Sequence, residues 1–316
     1  MSAQANDSPP PSGAARCGYV ALVGRPNAGK STLFNAFLGQ RLSIVTSKAQ
    51  TTRCSVRGIL SRPESQMIFL DTPGLLEPSS RLHETMGRQI DRSARDADVI
   101  LLVVDASRPR NRVDLVRSFL ARSRTPVVAA HNKIDTIAEG SRDPIGAAVA
   151  RDLGLNRLRA VSAATGENVH PLLAELEAAL PRGPRLYPDE VIADQPERFF
   201  TAELVREAAF EQLSEELPYS IAVDVDDFRD PGTEGSGQDD ARRQKKTYVS
   251  AVLYVDRDSQ KGIVIGRGGS MLKRIGSRAR AGIEDLLDRE VYLDLRVKVR
   301  RDWRNRDRDL KEFGYV

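Results

Sequence analysis

Short, nearly continuous apolar runs alternate with helical stretches from Tyr19 to about Leu180. "YVALVG", "MIFLDT", "DVILLVVDA", "PVVAAHNK" and "RLRAVSA" are rich in Val, Leu, Ile and Ala and end in turn-forming residues. Runs of that length without polar alternation predict strands buried on both faces, as in a mostly parallel sheet with helices on both sides. That is an α/β nucleotide-type domain. "PRGPRLYPDE" (181–190) then supplies three prolines, can sustain neither a helix nor a central strand, and reads as a hinge.

The rhythm changes beyond it. "PERFFTAELVREAAFEQLSEEL" has helical periodicity, opened by Pro196 and closed before Pro218. "YSIAVDVDDF" and "YVSAVLYVDR" predict two strands, separated by the polar, Gly- and Asp-rich loop of 229–246. A short helix at "SQKGIVI", a glycine turn, a longer helix from Ser270 and the alternating strand "VYLDLRVKVR" complete the order α-β-β-α-turn-α-β, with a polar helix after Trp303. The expected organisation is a disordered tail (1–17), an α/β domain (18–180), a linker (181–195), an α+β domain (196–302) and a C-terminal helix or tail (303–316).

Composition narrows the class. The chain has 316 residues, 40% hydrophobic and 29% charged, which suits two globular domains. Aromatics are only 5%, so aliphatic side chains must build the cores. "VILLVV" is strand-sized and far short of a membrane span. The start "MSAQANDSPPPSGAARCG" lacks the basic and apolar regions of a signal peptide. Cys17 and Cys54 are isolated thiols that make neither a zinc site nor a disulfide framework, which points to a reducing, cytoplasmic setting. The net charge of +4 is unevenly placed: residues 241–316 hold 20 Lys and Arg against 11 Asp and Glu, whereas the first 240 residues sum to −5. A basic C-terminal part points to a polyanionic partner.

Three motifs carry the chemistry of the first half. Gly24-Arg25-Pro26-Asn27-Ala28-Gly29-Lys30-Ser31, followed by Thr32, satisfies GxxxxGK[ST] directly after a predicted strand. Its amides can surround a β-phosphate, Lys30 can neutralise β/γ charge, and the Ser31 hydroxyl is placed to ligate Mg²⁺. Asp71-Thr72-Pro73-Gly74, followed by Leu75, stands at the end of another strand; Asp71 can hold Mg²⁺ through water and Gly74 can donate its amide to the γ-phosphate. Asn132-Lys133-Ile134-Asp135 is NKxD: Asp135 can accept from guanine N1 and the exocyclic amine, while Asn132 and Lys133 tie the loop to the phosphate loop. "SAATG", with Ser162 and Ala163, can supply an amide to the guanine oxygen. A buried polar site of this kind rejects adenine, so the expected ligands are GTP and GDP.

Gly266-Arg267-Gly268-Gly269 lies between two predicted helices, with no Lys-Ser/Thr after it. It fits GxxG of a type II KH domain, which clamps a nucleic-acid backbone. Lys261, Ile265, Lys273 and Arg274, with Arg278 and Arg280 further along the helix, are the expected remainder of the groove. No aromatic stands between Asp256 and Glu290, so ring stacking contributes little.

With these motifs, "SIVTSKAQTTR" (43–53), "ELPYSIAV" and "LRVKVR", the chain resembles the Era family of ribosome-assembly GTPases from about Gly18 to Val316. The resemblance implies that Thr52, or Thr51, is the switch threonine that ligates Mg²⁺ when GTP is bound. It implies an RNA partner, the 3′ end of 16S rRNA in the 30S subunit, a monomer, and peripheral contact with the inner membrane. Similar GTPases with asparagine at the place of Asn27 use it to ligate K⁺; the other reading is that Asn27 shapes the loop. Leu75 stands where Ras-like proteins carry the water-orienting glutamine, so slow intrinsic hydrolysis is expected. A signalling GTPase whose C-terminal domain docks protein or membrane is the rival from another class. A double-GTPase factor would need a second phosphate loop, which this chain lacks.

Overall fold

The computed structural model describes residues 15–46, 48, 50–109, 112–231 and 246–316. The readings made for residues 1–14 and for 232–245 of the polar loop lie outside them. The described chain forms two compact units. Among the described residues, one takes 15–41, Ser55–Leu75 and Gln89–Asp194; the other takes Leu42–Cys54, Leu76–Arg88 and the described part of 195–316. The division is therefore not a single cut at the proline-rich stretch, because two early segments, 42–54 and 76–88, belong with the C-terminal unit.

The first unit holds a six-stranded sheet in the order β2-β3-β1-β4-β5-β6. Its strands are β1 (Arg16–Gly24), β2 (Val56–Arg62), β3 (Ser65–Asp71), β4 (Val99–Asp105), β5 (Val127–Asn132) and β6 (Arg159–Ala160). All are parallel to their neighbours except β2, which runs antiparallel to β3. Arg16 and Cys17, expected in the tail, open β1 because they pair with Ser65 and Gln66. Val99–Val103 of β4 are fully buried, each side chain contributing about 1.5–3 kcal/mol relative to exposure. On one face Ala21 and Val23 pack with Ile90 and Ala94 of α2 (Arg81–Asp96) and Phe119 of α3 (Val113–Arg122). On the other, Phe37 of α1 (Lys30–Leu38) stacks on Phe69 at 4.9 Å. The helices α4 (Glu139–Leu153) and α5 (Val169–Ala179) complete the unit.

The proline-rich stretch is packed on this unit rather than free. Gln66 Oε1 accepts from the amides of Leu186 and Tyr187 at 2.8 and 2.9 Å, and Tyr187 and Val191 cover Cys17, Ile59 and Ile68. A glutamine side chain thus satisfies backbone groups that proline-interrupted chain cannot pair in a sheet.

The second unit begins with α6 (Glu197–Gln212), entered through Pro196. A three-stranded sheet follows in the order β7-β8-β9, from β7 (Ala222–Arg229), β8 (Thr247–Val255) and β9 (Val291–Val299). The β7–β8 pair is antiparallel and β8–β9 is parallel. Two helices, α7 (Asp258–Ile265) and α8 (Ser270–Leu287), flank the glycine turn, and α9 (Asp307–Glu312) lies near the C-terminus. Val205, Ala209, Val249, Ala251, Ile275 and Ile283 share its main core. A second cluster joins Leu82 and Met86 to Val252, Trp303, Leu310 and Tyr315, which is why 76–88 belongs here. No described helix is long and apolar enough to cross a membrane.

Candidate functional site

The phosphate loop is built where β1 ends. Asn27 and Gly29 adopt left-handed backbone, with φ of 61° and 91°. A Cβ at Gly29 would lie 2.1 Å from Asn132 Nδ2, so only glycine lets the two loops approach. Lys30 starts α1 and is buried, its Nζ donating to the carbonyls of Gly24 (3.2 Å) and Arg25 (3.1 Å). Burial lowers its pKa to about 8, against the opposing pull of Asp71. A phosphate at the loop would favour its charged form. Thr32 follows in the same helix, and Arg25, Pro26 and Ala28 form the loop itself.

Ser31 Oγ donates to Asp71 Oδ2 at 2.7 Å. Both are hard oxygen donors brought together at the start of a helix and the end of a strand, a set that fits Mg²⁺. Gly74 lies against the phosphate loop, where a Cβ would come within 2.5 Å of the Pro26 nitrogen. Two neighbours turn inward instead. Thr72 Oγ1 donates to the Leu22 carbonyl at 2.7 Å. Leu75 donates its amide to Gly24 O at 2.9 Å and packs its side chain into the apolar clusters of the unit. Its side chain is structural, and only its main chain joins the phosphate loop.

The NKxD and SAATG residues lie in the same unit. Asn132 Nδ2 donates to Ala28 O at 2.9 Å, and Asn132 Oδ1 accepts from the Ala163 amide at 3.0 Å. Ser162 Oγ donates to Asp135 Oδ1 at 2.6 Å, which orients the exposed carboxylate. Ile134 is buried beneath it. Lys133 departs from expectation: its Nζ pairs with Asp105 Oδ2 at 2.7 Å, while its Cε would lie 3.9 Å from a Cβ at Gly29. It ties the loop to the end of β4, with only its stem near the phosphate loop. The pairing lowers the pKa of Asp105 despite partial burial. Sequence reasoning missed Asp105; its place at the end of a buried strand beside the NKxD strand was the available signal.

The structure thus assembles 24–32, 71–75, 132–135 and 162–163 in one unit, while Thr51 and Thr52 belong to the other. That second unit carries the GxxG turn between α7 and α8. Gly266, Gly268 and Gly269 all have positive φ, of 73°, 58° and 80°. A Cβ at Gly266 would lie 2.8 Å from the Met271 amide, whereas Gly268 and Gly269 have nothing within 4 Å. Arg267, Lys273 and Arg274 are exposed beside this open backbone, and Lys261 is half-buried. Two helix cations are engaged elsewhere: Arg278 pairs with Glu211 at 2.8 Å and Arg280 approaches Glu284 at 3.9 Å. Ile265 packs against the core, and the apolar side chain that faces solvent is Ile263, 58% exposed.

A phosphate loop, a Ser–Asp pair that fits Mg²⁺ and an NKxD loop on a mostly parallel sheet define a P-loop GTPase, in a chain that also carries a KH unit with an open GxxG turn. Family models agree: "50S ribosome-binding GTPase" matches residues 19–133 and "KH domain" matches 216–304. GTPase Era of Geotalea daltonii is 42% identical over 94% of this chain and 97% of its own, and GTPase Era of Staphylococcus haemolyticus is 38% identical over 95% and 97%. A crystal structure of Era in complex with MgGDPNP and nucleotides 1506–1542 of 16S ribosomal RNA is similar with TM-score 0.89 and 38% identity, covering 96% of this chain and 99% of that one. An Aquifex aeolicus Era variant bound to GDP and AlF4⁻ gives TM-score 0.87 and 37% identity over 95% and 99%. The chain belongs to the Era family of GTPases.

Proposed function

We propose that this GTPase is a switch that binds the 3′ end of 16S rRNA through its KH unit and assists 30S subunit maturation. The observation that carries the RNA half is the glycine turn at 266–269, where two positive-φ glycines leave open space beside exposed Arg267. A sugar–phosphate backbone can approach such a turn more closely than any side-chain-bearing loop allows. Ile263 supplies an apolar contact for a base, and Lys273 and Arg274 supply charge. Arg267→Asp should weaken binding of a single-stranded RNA copying that 3′ end and leave GTP affinity unchanged. RNA binding that survives the substitution would place the groove elsewhere; no RNA binding in the unsubstituted protein would favour a C-terminal unit that docks protein or membrane.

In the nucleotide half, Ser31 and Thr52 are the direct magnesium ligands of this reading, and Asp71 acts through water. Mg²⁺ held by these residues would supply positive charge against the charge that develops on the phosphates. Lys30 adds positive charge at the phosphates, Asp135 holds the base, and the Gly74 amide senses the γ-phosphate. With Leu75 packed inward, no glutamine orients the water, so intrinsic turnover is slow. Asn27, exposed in the phosphate loop, would offer its amide oxygen to K⁺. Replacing K⁺ with Na⁺ should slow hydrolysis severalfold; equal rates in both would reduce Asn27 to shaping the loop.

The same reading carries a cytoplasmic monomer, with peripheral contact with the inner membrane through its basic C-terminal part. Sedimentation with anionic vesicles and a sedimentation-equilibrium mass check the two statements; no pelleting, or a dimer mass, would remove them.

A further inference from the structure

Lys133 has a left-handed backbone, with φ of 68° and ψ of 35°. A residue with a side chain is strained there, and such strain persists only where the surroundings over-determine it. The turn it makes separates two sets of contacts. Before it, Asn132 reaches Ala28 O and the Ala163 amide. After it, Ile134 is buried and Asp135 stands exposed beside Ser162. Thr136 closes the turn, donating its amide (3.0 Å) and its hydroxyl (2.7 Å) to the Lys133 carbonyl.

The Lys133 side chain is held by Asp105 at the end of β4. The two carboxylate oxygens divide their partners. Oδ2 accepts from Lys133 Nζ at 2.7 Å, and Oδ1 accepts from the Ser107 amide at 2.9 Å and the Ser107 hydroxyl at 2.6 Å. Burial alone would raise the pKa of Asp105, but the hydrogen bonds from Lys133 and Ser107 outweigh it and lower the value, so the group is charged at neutral pH. The sheet does not need this carboxylate. The β4–β5 register already runs to Asp105 and Asn132, and the Ala106 amide extends it by donating to Asn132 O at 2.8 Å. What the carboxylate adds is an anchor for Lys133, two residues before Asp135.

We propose that Asp105 is a positioning residue for guanine recognition: through Lys133 it holds the left-handed turn that aims Asp135. All three residues lie in the first unit. The inference rests on Asp135 as the base reader and deepens that reading. A glycine at 133 would adopt the turn without strain and leave it loose, whereas a lysine tied to an aspartate is strained and fixed. Inosine diphosphate lacks the exocyclic amine that Asp135 would accept from and otherwise matches GDP. The ratio of the two affinities therefore reads the placement of Asp135, and it cancels phosphate binding and folded fraction, which act on both.

Competition of GDP and inosine diphosphate against a fluorescent GDP, in the full-length protein with Mg²⁺, measures that ratio. Asp105→Asn removes the charge at nearly constant volume and should narrow the preference for GDP by at least about threefold. Lys133→Gly removes both the strain and the pair, so adding Asp105→Asn to it should change the ratio no further; a further change would mean that Asp105 acts by another route and would overturn the proposal. Asp135→Asn should erase the preference, and if it does not, the base reading of Asp135 itself fails. If Asp135→Asn erases it but Asp105→Asn keeps the wild-type ratio, or weakens both nucleotides equally, only the positioning role is overturned. Should Asp105→Asn lose its cooperative melt, Ser107→Ala loosens the carboxylate and leaves its charge. It must then narrow the preference, and the wild-type ratio in that variant overturns the proposal.

Discussion

Ser31 and Asp71 are 40 residues apart in sequence and meet at 2.7 Å, hydroxyl to carboxylate. The strand order sets the meeting: β1 pairs with β3 so that Leu22 faces Asp71, and α1 begins just past the end of β1. Ser31→Ala removes the partner of a buried carboxylate and, on the proposed reading, one metal ligand. The loss of a charge-assisted hydrogen bond, about 1.5–3 kcal/mol, corresponds to about ten- to hundredfold weaker binding of Mg²⁺–nucleotide. Titration of a fluorescent GDP with and without EDTA checks it: the variant should bind equally in both, whereas the wild type loses affinity on chelation.

Asp135 accepts from Ser162 on one oxygen, and its carboxylate is exposed. Asp135→Asn exchanges an acceptor for a donor, which mismatches the guanine N1–H and exocyclic amine and matches the 2-oxo group of xanthine. GTP affinity should drop by at least about a hundredfold, and xanthosine triphosphate should bind in its place. Competition between the two nucleotides measures the exchange; retained GTP preference would remove Asp135 from base recognition.

His131 is buried on β5, and among the described residues neither ring nitrogen has a hydrogen-bond partner. Burial lowers its pKa below the ordinary 6.5, with Asp105 pulling the other way. The unfolded chain therefore takes up the proton first as pH falls. The stabilising contribution is complete above about pH 6.5 and is lost progressively as pH drops towards the folded-state value. Thermal melts between about pH 7 and about pH 5 should show falling stability. His131→Leu should flatten that part of the profile, and an unchanged slope would assign the loss to other groups.

The three glycines of the turn should behave differently. Gly268→Ala places its methyl in open space, so its cost is the backbone strain of positive φ, about 1–2 kcal/mol. Gly266→Ala adds a collision with the Met271 backbone and should destabilise more. Gly268→Ala should melt cooperatively, keep GTP affinity and bind RNA less tightly. Wild-type RNA affinity in that variant would mean that no backbone approaches the turn there.

The buried strands were legible because runs such as "VILLVVD" have no polar face, and the phosphate loop and NKxD because loop chemistry constrains them. The strand β2 was missed: "VRGILSR" mixes charge and glycine, as an edge strand can. Its Gly58 lies so close to α1 that a Cβ would meet Phe34 and Leu38 within 3 Å, a contact no local pattern announces. Arg278 and Arg280 looked like groove residues on a basic helix, yet their partners Glu211 and Glu284 are fixed by tertiary packing and helix spacing. Buried Arg53 was unreadable for the same reason. Its guanidinium lies among the rings of Phe210, Trp303 and Tyr315, residues that only the folded second unit brings together.

Binding of a single-stranded RNA copying the 3′ end of 16S rRNA, measured with GDP and with a non-hydrolysable GTP analogue, tests the link between the two halves most directly. Tighter binding with the analogue, by about five- to 150-fold, is the result expected of a GTP-timed RNA switch. Equal binding in both states would break the coupling, and no binding in either would remove the RNA assignment of the KH unit.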